Sequence, residues 1–156
     1  MDASHDRSPY APPAAPLSPS VADADAGAPL FKIAAVGIAT FFGSVLAGGL
    51  IMAMNFRAMG KPEKFWPTIG LSLLALVATL LLGAFLPENF PGVVITVPTI
   101  IAMTMIAGRY QGQAITQRQD AGLPMRSNWL ALGIALLVLL PILLLGIGLL
   151  LLGGAI

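Results

Sequence analysis

Charged side chains fall in clumps along this chain, and the gaps between the clumps are its clearest signal. No Asp, Glu, Lys or Arg occurs in Ile33–Phe56, Phe65–Pro87, Asn89–Gly108 or Ser127–Ile156. A helix needs roughly 20 apolar residues to cross a hydrocarbon layer about 30 Å thick. Four stretches of that length predict four transmembrane helices, over about residues 33–54, 66–86, 91–108 and 129–152. The predicted fold class is therefore all-α: a polytopic membrane protein, a bundle of four transmembrane helices (31–156) preceded by a disordered tail (1–30).

The punctuation between these stretches supports the division. Gly60 followed by Pro62 stops the first helix, which can run on through Asn55–Met59. Pro62, Glu63 and Pro67 suit the first turn of the next helix, where a missing N–H costs little and a negative charge meets the helix dipole. Pro87–Gly92 is a compact turn. The third span is the most polar, with Thr96, Thr99, Thr104 and Pro98. A kink is expected at Pro98 and a bend at Pro141, because each proline removes a helix hydrogen bond. Arg109–Arg126 is the longest polar connection; helix can extend into it until Gly122 and Pro124 stop it, and Ser127 or Asn128 can cap the fourth span. Residues 1–30 hold six of the thirteen prolines among Ala, Ser and Asp. Such a segment can neither sustain a helix nor bury enough apolar surface to order itself. A plain tail is the simple reading, and a proline-rich ligand for a recognition domain the sharper one.

Positive charge sets the threading. Arg57, Lys61 and Lys64 lie between spans one and two, and Arg109, Arg118 and Arg126 between three and four; the second connection has none. If all four segments cross, both basic loops (57–64 and 109–126) share a side. Positive-inside bias makes that side cytoplasmic and both termini external. Lys32 opposes this arrangement. The first residues, MDASHDRSPY, carry acids where a secretory signal would be basic, so the first span is read as an uncleaved anchor. A bacterial inner membrane is the expected location.

Composition narrows the chemistry. Only 10% of residues are charged and 57% are hydrophobic, against about 25% charged in a soluble domain. With no cysteine there is no disulfide, thiol nucleophile or Cys-ligated metal. The eight basic residues are dispersed and the net charge is +1, which gives no reason to expect a nucleic-acid partner. The single histidine, His5, lies in the tail. No Ser-His-Asp set, HExxH, phosphate-binding glycine loop or carboxylate cluster is present, so no catalytic, metal or cofactor-binding residue is assigned and an enzyme is not expected. Glu63 and Asp120 read as separate solvated charges. The spans also lack the intramembrane carboxylate that marks proton relays. The basic loops can hold anionic headgroups at on the order of 1 kcal/mol per charge; setting topology is their simpler role.

The best structured motif is a stripe of small residues in the first span. Ala35, Ala39, Gly43 and Ala47 recur every four residues, and Ser44–Gly48 and Gly49–Ala53 add further pairs. Small side chains on one face let another backbone approach closely, which matters in lipid because burying leucine there gains little. The stripe Ala35, Ala39, Gly43, Ser44, Ala47 and Gly48 is read as a helix-packing face. It serves either packing within the bundle, with the Ala75, Thr79, Gly83 series as a candidate neighbour, or a homo-oligomer or partner subunit. Gln111–Ile115 with Gln117 is either a partner patch or an ordinary polar helix end.

FFGSVLAGG (Phe41–Gly49), NFRAMGKP (Asn55–Pro62), QGQAI (Gln111–Ile115), Gly122 and SNW (Ser127–Trp129) resemble an uncharacterised family of small bacterial four-span membrane proteins. The resemblance covers span one, its exit and the third loop. It implies the topology and carries no activity, cofactor or catalytic residue. The expected partner is the lipid bilayer, with a membrane protein or a second copy as further possibilities. The functional expectation is a non-enzymatic assembly, accessory or scaffold component; the alternative is a small channel or transporter.

Overall fold

A computed structural model describes residues 27–87 and 89–153. Its elements run β1 (Leu30–Phe31), α1 (Ile33–Ala58), a short 3-10 turn (Pro62–Lys64), α2 (Phe65–Phe85), α3 (Val93–Asp120), β2 (Met125–Arg126) and α4 (Asn128–Gly153). The protein is all-α, with four helices long and apolar enough to cross a membrane. The part of the expected tail over residues 1–26, with His5, lies outside the described residues.

The helix ends follow the local sequence. At the end of α1, Gly60 takes φ +72°, its N–H reaches the Arg57 carbonyl, and the Lys61 N–H reaches back to Phe56. Gly122 does the same for α3 at φ +66°, with Gly122 donating to Gln119 and Leu123 to Arg118. α1 and α3 thus end in the same glycine-terminated cap, which satisfies carbonyls left over at a helix end. For α4, Ser127 supplies the cap: its Oγ accepts from the Trp129 N–H at 3.2 Å. α3 and α4 run on as helix through Pro98 and Pro141, and the non-helical backbone inside a helix is found elsewhere.

It lies at Ser44, inside α1. There the backbone takes φ 84° and ψ 172°, outside the helical region. The chain on either side does not merely bend. The Phe31 N–H donates to Asn55 Oδ1 at 2.7 Å, and Asn55 Nδ2 donates back to the Phe31 carbonyl at 3.0 Å. A straight helix would hold residues 24 apart about 36 Å from each other. The two arms, 33–43 and 45–58, therefore lie side by side and antiparallel. The same register brings Thr40 against Gly48 and Gly43 against Ala47. This corrects the single continuous helix expected over 33–54. The sequence around the break explains it: Gly43, Gly48 and Gly49 weaken the helix by about 1 kcal/mol each relative to alanine, and they let the arms close.

The folded-back α1 is the core. About 61% of its apolar window is buried, against 6% for α2, 11% for α3 and 6% for α4. The three outer helices pack on α1 rather than on one another. Each presents a narrow stripe to it: Ser72 and Leu76 from α2, Met103, Ala107, Gln111 and Ile115 from α3, Ala131 and Ala135 from α4. The four-residue spacing is one helix face, and the remaining apolar faces of these helices point outward. Two short strands, which hydropathy did not predict, tie the entry of α1 to that of α4. Leu30 pairs with Met125 and Phe31 with Arg126 in parallel register.

Candidate functional site

The site most clearly built by this fold is a buried polar node at the open end of the α1 hairpin. Asn55 and Gln111 are each about 1% exposed. Asn55 sits on the second arm of α1 and treats Phe31 as a strand would, accepting from its N–H and donating to its carbonyl. It also donates to Gln111 Oε1 at 3.1 Å, while Gln111 Nε2 donates to the Met52 carbonyl at 2.8 Å. Four side-chain hydrogen bonds thus link β1, the second arm of α1 and α3. An amide buried without partners would cost several kcal/mol, so a satisfied pair both rigidifies and specifies this corner. Every polar atom of the two amides has at least one protein partner, so the node is a clasp more than a ligand-binding pair.

Sequence reasoning placed Asn55 near a helix end and Gln111 in a possible partner patch. The structure divides that patch. Gln111 and Ile115 face α1 and are buried, whereas Gln113 and Gln117 are exposed. The detectable signal was an amide on each of two apolar segments whose neighbours at four-residue spacing are apolar: Met103, Ala107 and Ile115.

Cations brace the same end. The Arg126 guanidinium lies 5.1 Å from the Phe31 ring centroid, and the Lys64 ammonium 5.6 Å from that of Phe56, both within cation–π range. Arg118 donates to the carbonyls of Pro124 at 3.1 Å and Gly27 at 3.0 Å. Lys32, Arg57, Lys61 and Arg109 are exposed. Trp66 and Trp129, at the starts of α2 and α4, are both exposed as interfacial anchors would be.

The residues of the small stripe are placed as follows. Ala35, Ala39, Gly43, Ala47 and Gly48 are buried, and Ser44 is half-buried. They do not form one continuous face, because the chain reverses at Ser44. The methyl group of an alanine at position 43 would meet the Ala135 carbonyl oxygen at 2.5 Å and its Cα at 2.7 Å. At Gly48 it would meet Thr40, and at Gly49 Ser72. Within this chain the small residues serve contact between the arms and with the outer helices.

The hydroxyls of the apolar segments mostly bond to their own helices. Thr40, Ser72, Thr79, Thr96, Thr99 and Thr104 each donate to the carbonyl four residues earlier, at 2.7–3.0 Å. Ser44 is different: its buried Oγ has no partner. A groove of about 400 Å³ opens between the second arm of α1, α2 and α3, walled by Val45, Met52, Leu71, Ala75, Met103 and Ile106, with Lys64 and Tyr110 among its lining. Among the described residues no three His, Cys, Asp or Glu side chains come together as metal ligands. Glu63 and Asp120 are exposed on different loops.

Compared with family models, with curated proteins and with solved structures, the chain matches none.

Proposed function

We propose that this is a non-enzymatic integral membrane protein that acts as an assembly or accessory component through helix packing. The observation that carries the reading is how polar capacity and apolar surface are divided. The amides of the node and most threonine hydroxyls of the helices are used inside the fold. The outer faces of α2, α3 and α4 remain broad and apolar, with Leu73, Leu80, Val97, Ile101, Leu137 and Leu144 among their exposed side chains. Such faces suit lipid and other apolar helices, whose association relies on packing. The motif resemblance to small four-span bacterial proteins fits this reading, and an inner membrane with the two basic loops in the cytoplasm fits the positive-inside rule. Solubilisation in a mild detergent, followed by mass spectrometry of co-purifying proteins and light scattering, tests the proposal. A stable complex or oligomer is expected; a strict monomer with no partner would overturn it.

A channel or transporter is the second reading, favoured by the fold-back at Ser44. Broken helices whose tips meet within the membrane are a recurring way to build a solute site, and the unpartnered Ser44 hydroxyl sits at such a tip. Solute flux into liposomes that is lost on Ser44→Ala or Thr99→Val would establish it, and liposomes that stay tight would exclude it.

A further inference from the structure

We infer that residues 33–58 form a re-entrant helical hairpin, so that the described chain crosses the bilayer three times and residues 27–31 lie on the same face as both basic loops. The inference goes beyond the accessory reading and does not depend on it.

Three separate contacts fix where the entry of α1 lies. Phe31 is hydrogen-bonded to Asn55, three residues before α1 ends. Leu30 and Phe31 pair with Met125 and Arg126, just before α4 begins. Gly27 accepts from Arg118 in the last turn of α3. In a four-crossing arrangement residues 27–31 would sit a full hydrocarbon thickness, about 30 Å, from residues 55, 118 and 125–126. The observed contacts allow no such separation. The entry and exit of α1, the end of α3 and the start of α4 share one face.

The neighbours along each arm agree on direction. On the first arm Ile33 lies by Gly108 and Gly112 while Gly37 lies by Ile100 and Thr104, so this arm runs antiparallel to α3. On the second arm Gly48 lies by Met103 and Asn55 by Gln111, so this arm runs parallel to α3. Gly49 meets Ser72 and Phe56 meets Lys64, which makes the second arm antiparallel to α2. At about 1.5 Å per residue the arms are about 16 and 21 Å long, which carries the tip only part-way through the membrane. Non-helical backbone at that depth is tolerated where protein covers it. Here Gly43 and Val45 are buried, and Gly43 is against the Ala135 backbone of α4.

Charge supplies an independent argument. With four crossings, Lys32 falls on the face opposite Arg57, Lys61, Lys64, Arg109, Arg118 and Arg126. With a hairpin and three crossings, these seven basic residues share one face, and the connection between α2 and α3 on the opposite face carries no Lys or Arg. The exception that Lys32 made to the positive-inside rule disappears.

Because the chain has no cysteine, single substitutions report sidedness directly. Ala28→Cys, Lys61→Cys, Gln119→Cys and Asn89→Cys, each at an exposed position, would be reacted with a membrane-impermeant maleimide in right-side-out and inside-out vesicles. The hairpin requires Ala28→Cys, Lys61→Cys and Gln119→Cys to react in the same vesicle type and Asn89→Cys in the other. Ala28→Cys reacting together with Asn89→Cys would overturn it. A second measurement does not depend on vesicle orientation: the spin-label distance in the full-length double variant Ala34→Cys/Arg57→Cys in liposomes. Neighbouring helices 8–10 Å apart place it below about 20 Å; a value near 35 Å, as a straight helix gives, refutes the hairpin.

Discussion

Asn55 and Phe31 are joined by two hydrogen bonds, one in each direction, between a side-chain amide and a backbone peptide 24 residues away. That pair closes the base of the α1 hairpin, and Gln111 locks it to α3. It is the relationship on which the shape of the whole bundle depends, because α1 is the helix on which the other three pack.

Replacing Asn55 by leucine should therefore destabilise the folded state by about 1–3 kcal/mol, since it leaves the Phe31 amide group buried and unpaired. Gln111→Leu should cost less, because Asn55 keeps its bonds to Phe31. The double variant should be less damaged than the two single effects summed, by about 1 kcal/mol, as expected of residues sharing a network. Reversible unfolding in mixed micelles measures all three; strict additivity would show that the two amides do not act together.

The glycines should divide sharply by position. Gly43→Ala pushes a methyl group into the backbone of Ala135, which cannot rotate away, and should cost about 1–3 kcal/mol by overpacking. Gly133→Ala meets nothing within 4 Å and should be neutral or raise stability by up to about 1 kcal/mol through helix propensity. Melting temperatures in detergent distinguish the two directly.

At Ser44 the favourable change is to glycine. A φ of 84° with ψ near 172° is a region that a side chain enters at a cost of about 1–3 kcal/mol, and its Oγ makes no hydrogen bond that would be lost. Ser44→Gly should raise the melting temperature and Ser44→Val lower it. If Ser44→Gly instead lowers it with the hairpin intact, the hydroxyl has a partner beyond the contacts described.

Arg118 reaches from the last turn of α3 to the Gly27 and Pro124 carbonyls. Arg118→Gln should loosen the strand pair, and hydrogen exchange in a peptide covering Leu30 and Phe31 should quicken while exchange in the centre of α2 stays unchanged. Equal exchange in both proteins would assign Arg118 no role in holding β1.

Much of the bundle could be read from residue order. The gaps in charge located four apolar helices, and Gly60, Gly122 and Ser127 marked helix ends that the structure places within a residue or two. Those signals are local: a positive-φ glycine, a capping hydroxyl and a run of apolar residues act over one or two turns. The stripe from Ala35 to Gly48 was visible as well, but its meaning was not. Four-residue spacing assumes a straight helix, and a single residue with non-helical dihedrals turns one face into two arms packed against each other.

The amide node was illegible for a similar reason. Asn55 and Gln111 are 56 residues apart, and nothing in the order of residues says which polar side chains will be folded together. The sequence by itself determined that the protein is helical, apolar and asymmetric in charge, because hydrophobic length and helix-end chemistry are properties of neighbouring residues. Only the tertiary structure decided that the first apolar segment turns back at Ser44. Length and hydropathy are the same for a crossing and for a hairpin, and what separates them is long-range pairing: Phe31 with Asn55, Leu30 with Met125, Gly27 with Arg118.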